Sequence, residues 1–242
     1  MTSVDLSDTS RFIAKLSPCF VDTPAECPYG LDRLAVYHQA GFGSLPPVLL
    51  DEFLAAGYRR NGNTLYAMRC PGCTACVPIR LATETFCPSR NMHRVRQRNQ
   101  ELEVSVGPVE VTEEKLRLLD CFLNSRYPGR ASTASDYYSG FFLNSLVSTM
   151  EISFRLSGHL VGVSVADLAE RSLSAVYFYF DPAFEKRSLG TFNILSLGEL
   201  ASREHYDYLY LGYWIEPVAA MAYKSRFRPH YLLVNGEWLQ VD

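Results

Sequence analysis

The chain has 242 residues, 48% of them apolar and 20% charged, with a formal net charge of −3. The apolar share is enough for a substantial core and excludes global disorder, and the acidic balance argues against a strong non-specific binder of nucleic acid. No apolar run approaches the ~20 residues of a bilayer-crossing helix, and the opening MTSVDLSDTSRFIAKL lacks the apolar segment of a secretory signal. Seven cysteines, an odd number, fit a reducing compartment better than a disulfide framework. The expectation is a cytoplasmic, monomeric protein with no membrane partner.

In chain order, residues 1–45 read as irregular with a short helix near 31–40. Pro46 and Pro47 open a helix that Gly57 closes. Residues 58–68 form a hairpin about Asn61-Gly62, and Val77–Ala82 alternates as a strand. Ser89 caps a helix over 90–100. A strand covers 103–111, and Thr112 caps a helix with two acids in its first turn. A soft boundary near 110 divides the chain into 1–110 and 111–242.

The second part opens with a helix from Ser135. Strands follow at 150–156, 159–168 and 172–180, the last apolar enough for burial on both faces. A long helix over 188–204, the apolar strand DYLYLGYWI and a final hairpin at Asn235-Gly236 complete the chain. The predicted fold is α+β. An acetyltransferase-like sheet forms the second part, and a smaller α/β region with a cysteine cluster forms the first.

The sharpest local feature is Cys70-Pro-Gly-Cys73-Thr-Ala-Cys76, two overlapping CxxC pairs at a hairpin end. Soft sulfur ligands select zinc or an iron–sulfur cluster, with Cys27 as candidate fourth ligand. The spacing is equally served by reduced thiols packed as small hydrophobes. Cys19, Cys87 and Cys121 read as structural, Cys121 on the core side of its helix. Arg90, Arg94 and Arg98 share one helical face, and Lys224, Arg226 and Arg228 form a second basic group; either suits phosphates or solvent. Arg59 and Arg60 point to opposite sides of a strand, where one could hold a carboxylate. On the residues alone, Asp181-Pro182 is a turn at a strand end.

Several segments taken in order resemble one family. They are Cys27-Pro-Tyr; the run from Gly57 to Tyr66; Cys70-x-x-Cys-x-x-Cys-Val-Pro-Ile-Arg80; Phe86-x-Pro-Ser-Arg90; Val176 to Pro182; Ser188-Leu-Gly-Thr191; Tyr210 to Ile215; and Met221 to Phe227. The set is similar to the arginyl/leucyl-tRNA–protein transferases of the N-degron pathway over roughly residues 25–240. The length and the cysteine spacing are closest to the short bacterial branch, the aspartate/glutamate leucyltransferases. The eukaryotic branch carries a paired CxxC and adjacent cysteines where this chain differs, which separates it from their cluster-binding property.

The resemblance implies transfer of leucine from leucyl-tRNA to proteins with N-terminal Asp or Glu, marking them for degradation, with no cofactor required. It implies Asp181 as the group orienting or deprotonating the amine, with Tyr179 and Tyr213 as proton relays or adenine-stacking groups. Arg59, Arg60 and Arg80 would hold the acidic side chain, because only a carboxylate compensates an arginine fork. Arg90, Arg94, Arg98, Lys224, Arg226 and Arg228 would meet tRNA phosphates. Competing readings are an arginyl-tRNA transferase, a non-catalytic binder of acidic N-termini or RNA, and a coenzyme A acetyltransferase, the last weakened by the lack of a glycine-rich pyrophosphate turn.

Overall fold

The computed structural model describes residues 15–129 and 131–242; the expectation about the opening segment falls largely on residues outside these. Two sheets organise the chain. The smaller contains β1 (Val21–Glu26), β2 (Leu34–Gly41), β3 (Arg59–Asn61) and β4 (Thr64–Met68), antiparallel in the order β1-β2-β4-β3. Between β2 and β3 runs α1 (Pro47–Ala55), with proline in its first turn as expected. The helix predicted near 31–40 is instead β2. Ala35, His38 and Ala40 are buried there, and β2 is flanked by β1 and β4, so cross-strand partners decide what local propensity left open.

The larger sheet contains β5 (Val77–Ala82), β6 (Glu103–Pro108), β7 (Thr149–Leu156), β8 (His159–Leu168), β9 (Ser172–Phe180), β10 (Tyr208–Trp214), β11 (His230–Val234) and β12 (Glu237–Val241). Its order is β12-β11-β5-β10-β9-β8-β7-β6. The helices are α2 (Arg90–Arg98), α3 (Glu113–Arg126), the single turn α4 (Ala134–Tyr137), α5 (Leu189–Arg203) and the short α6 (Ala219–Ala222). Ser89 and Thr112 cap α2 and α3 by accepting from Met92 and Lys115 N–H, as their positions predict. The helix expected from Ser135 starts one residue earlier, capped by Thr133, and passes into a π turn over Tyr138–Phe142.

Neighbours in this sheet are antiparallel except β9 and β10, whose parallel pairing needs the crossover helix α5. The antiparallel run β6–β9 followed by this crossover is the acetyltransferase-like arrangement expected. Strand alternation separates its two faces. Phe154 meets Phe192 of α5, ring centroids 5.6 Å apart, on one face. Glu151 meets Lys115 of α3 on the other. α2 packs beside α5, whereas the small sheet joins the α3 face through Arg60 and Asp167. The sheet also crosses residue 110: β5, β6 and α2 precede that point yet belong to the larger layer. Cys121, expected in the core, is exposed on α3.

Candidate active site

β9 and β10 pair over only three residues of each strand, Ser172–Ser174 against Tyr208–Tyr210. Beyond that the strands part. β10 is irregular between Tyr210 and Gly212, and Gly212 has φ +87°, a conformation that side chains disfavour. Arg59 of β3 enters the gap from the α3 face. Its Nη1 donates to Ser174 Oγ at 3.0 Å and its Nη2 to the Ala175 carbonyl. Lys224, from the turn Tyr223–Arg226, is buried and donates from Nζ to the Tyr213 carbonyl at 2.9 Å.

A Cβ on Gly212 would lie 3.4 Å from Arg59 Nη2 and 3.5 Å from Lys224 Nζ. Two cations therefore flank one backbone position, and among the described residues neither has an acidic partner. Burial, and then repulsion from Arg59, bring the Lys224 ammonium down to about 7.

Phenols surround these cations. Tyr66 and Tyr213 meet edge to face with centroids 6.4 Å apart, and Tyr213 donates to the Gly57 carbonyl at 3.4 Å. Burial pushes Tyr66 and Tyr29 up, Tyr213 well up, and Tyr37 to about 12. Each is held neutral, as a hydrogen-bond donor rather than a base.

The geometry redistributes the expected roles. Arg60 cannot read a substrate carboxylate. Its Nε and Nη2 are committed to Asp167 at 2.7 and 2.9 Å and its Nη1 to the Gly62 and Phe141 carbonyls. Arg80 lies 3.8 Å from the Tyr208 ring centre and 4.2 Å from that of Trp238, and donates to Tyr210 Oη at 2.9 Å. Ring faces cover the guanidinium, so it clasps the final hairpin onto β10.

Tyr179 is also corrected. It is fully buried, with its hydroxyl 2.6 Å from that of Tyr138, inside the aromatic core. Asp181 accepts from Ala183 N–H at 2.9 Å and caps the turn that follows β9. It lies six residues past Ala175, about 20 Å away along an extended strand. A terminal aspartate separates its amine from its carboxylate by only a few bonds, on the order of 4 Å. Asp181 and Arg59 are therefore too far apart to hold both ends of one residue, and Asp181 caps the turn that follows its strand.

Arg90, Arg94 and Arg98 are exposed along α2, and Arg226 and Arg228 are exposed beyond β10. Phe86 packs against Phe227 at 6.2 Å, so the start of α2 lies beside the second basic group. Lys224 leaves that group for the interior.

Cys27, Cys70 and Cys73 stand near enough to Cys76 that their charge, after burial, helps push its thiol to about 12. Cys70 Sγ accepts the Val36 N–H at 3.4 Å. Among the described residues no three His, Cys, Asp or Glu side chains are arranged to hold a metal ion. The four cysteines thus gather at one place, and a metal or cluster on them is not shown.

Known proteins match this chain along most of its length. The family description "Arginine-tRNA-protein transferase, N terminus" fits residues 25–94, and the corresponding C terminus fits residues 114–234. An aspartate/glutamate leucyltransferase of Thiobacillus denitrificans is 38% identical over 224 residues, covering 90% of this chain and 92% of the relative. One from Aeromonas hydrophila is 39% identical over 194 residues, covering 79% and 81%. Among solved structures, L-PGS from Bacillus licheniformis is similar at 12% identity and TM-score 0.44, covering 86% of this chain and 76% of its own. With both halves matched in order and relatives aligned over most of their own length, the chain belongs to the arginyl/leucyl-tRNA–protein transferase family, on the branch of the bacterial aspartate/glutamate leucyltransferases.

Proposed function

We infer that this transferase moves leucine from leucyl-tRNA to the α-amine of proteins beginning with Asp or Glu. The observation that carries the reading is the pair Arg59 and Lys224 at Gly212, two cations without an acidic partner among the described residues. With Lys224 buried beside the half-buried Arg59, holding its ammonium charged is costly until an anion neutralises it. A substrate carboxylate supplies that anion, and an amide of the same shape does not. The relatives' names support both the transferred residue and the acceptor.

The reaction is aminolysis of an ester. The amine nitrogen attacks the aminoacyl carbonyl carbon, a C–N bond forms, and the tRNA 3′ oxygen leaves carrying a proton given up by the amine. Ester to amide is downhill, so the protein supplies alignment and charge, and no cofactor enters this reading. Arg90, Arg94, Arg98, Arg226 and Arg228 meet tRNA phosphates. Their exposure, and the contact between Phe86 and Phe227, support one continuous basic surface. No helix among the described residues is long and apolar enough to cross a membrane, in keeping with these water-soluble partners.

The test supplies purified protein with labelled leucyl-tRNA or arginyl-tRNA and peptides beginning with Asp, Glu, Asn or Arg. Leucine should move to the Asp and Glu peptides only. Label transferred from arginyl-tRNA alone would replace this reading with the arginyl one.

A further inference from the structure

On the α5 face of the large sheet, two buried polar atoms lack partners among the described residues. Asn193 Oδ1 is a buried acceptor and Trp214 Nε1 a buried donor, each without a hydrogen bond to any described residue. Asn193 is only 4% exposed. Native interiors satisfy nearly all such groups, so two at one end of the sheet call for an explanation.

Both lie at one end of the sheet. β10 is parallel to β9, and α5 runs back from the end of β9 to the start of β10. Trp214 lies six residues up β10 from Tyr208, and Asn193 lies ten residues up α5 from Arg203. Those lengths are about 20 Å of strand and about 15 Å of helix, so both residues sit at the same end of the sheet. The irregularity at Gly212 turns Tyr213 towards the small sheet and Trp214 towards the packed face of α5, where it packs against the main core. Trp214 is two residues from Gly212, where Arg59 and Lys224 meet.

We propose that Asn193 and Trp214 form the subsite for the aminoacyl ester at the tRNA 3′ end, on the sheet face opposite the cation pair. The inference rests on the leucyl-transfer reading above. Asn193 Oδ1 accepts from the leucyl α-ammonium, and Trp214 Nε1–H donates to the ester carbonyl oxygen. The apolar residues around Trp214 take the leucine side chain, and a guanidinium placed there would lose its hydration without a carboxylate in return. The gap lets the ester carbon, held from one face, meet an amine held from the other. Each donor or acceptor is complementary to a group that an aminoacyl ester carries, and neither suits a phosphate pair or a carboxylate at both positions.

Trp214→Phe and Asn193→Leu remove the polar atoms while keeping most of the volume. The probe is a non-hydrolysable leucyl 3′-amide of 3′-amino-adenosine, titrated by calorimetry beside transfer kinetics. The expected result is binding of the amide by the wild-type protein, weakened at least tenfold in each variant. In kinetics, kcat/KM for leucyl-tRNA should fall at least tenfold, with the KM of an Asp peptide within twofold and an unchanged or higher Tm. A Tm that falls while amide binding and leucyl-tRNA kinetics match wild type would show the two groups serving packing alone, and would overturn the subsite. Absence of amide binding to the wild-type protein would overturn it too. Amide binding that is lost in the variants, together with no leucine transfer to Asp peptides, would keep the subsite and remove the leucyl-transfer reading.

Discussion

Lys224 shows how burial changes what a side chain can do. In sequence it is one of three basic residues in Lys224-Ser-Arg-Phe-Arg-Pro, and a phosphate contact is the natural reading. In the fold its two basic neighbours face solvent while Nζ is buried against the Tyr213 carbonyl near Arg59. Replacing Arg59 with Ala should raise the KM of an Asp peptide by about tenfold or more, the scale of one charge-assisted contact. The KM of leucyl-tRNA should hold, and steady-state kinetics with each substrate varied in turn checks both.

Lys224 adds a pH dependence. Its folded value is about 7 against an ordinary 10.5, so between those limits the unfolded chain binds a proton that the folded chain lacks. Stability therefore rises with pH across that window. Urea midpoints at pH 6.5 and 9.5 should show this rise, and Lys224→Met should remove its share. The KM of the acidic peptide should run in the unfavourable direction over the same range, because the ammonium is lost as pH rises through 7.

At the scale of elements, a buried ion pair is among the ties between the small sheet and the large one. Arg60 of β3 and Asp167 of β8 are each 1% exposed in their side chains, and Thr149 donates to the same carboxylate at 2.9 Å. Removing one partner strands a buried charge, so Arg60→Ala or Asp167→Ala should cost about 3–5 kcal/mol. Replacing both with matched apolar residues should cost much less. Chemical denaturation of the two single variants and the double variant gives the comparison. Asn63 adds a second tie, accepting from Ser145 and Leu146 N–H. At the ends of the helices the caps behave locally: Thr112→Ala should cost about 1 kcal/mol, read from the same denaturation curves.

For the whole molecule, the basic surface and the cation pair belong to residues far apart in sequence. Arg59 reaches Ser174 across 115 positions, and Phe86, in the loop before α2, meets Phe227. The family description divides near the same place as the sequence boundary at 110, yet the large sheet takes β5 and β6 from before it. A fragment of residues 111–242 should therefore lose cooperative unfolding, since β10 and β11 would lack β5 between them and β7 would be an uncovered edge. Thermal melts of the fragment beside the full chain test this.

Alternation, caps and turn residues made most elements legible. The strands β4, β5 and β7–β10, the caps Ser89 and Thr112, and the Asn235-Gly236 turn follow from patterns a few residues long, which local sterics and hydrogen bonds enforce; the first hairpin turns one residue later than expected, at Gly62-Asn63, with Asn61 still paired to Thr64. Arg59 was legible as a candidate for the same reason: it stands beside Arg60 on an alternating strand, and one of the two had to face inward. The sequence left the choice between them open, and the pairing with Asp167 shows Arg60 to be the buried one. It also gave no sign that Lys224 turns inward, that Asp181 stands far from Arg59, or that Asn193 and Trp214 share one end of the sheet. Those facts depend on strand order, on the irregularity at Gly212 and on the crossover of α5, which are set by long-range packing, and no local pattern encodes how far two distant strands diverge.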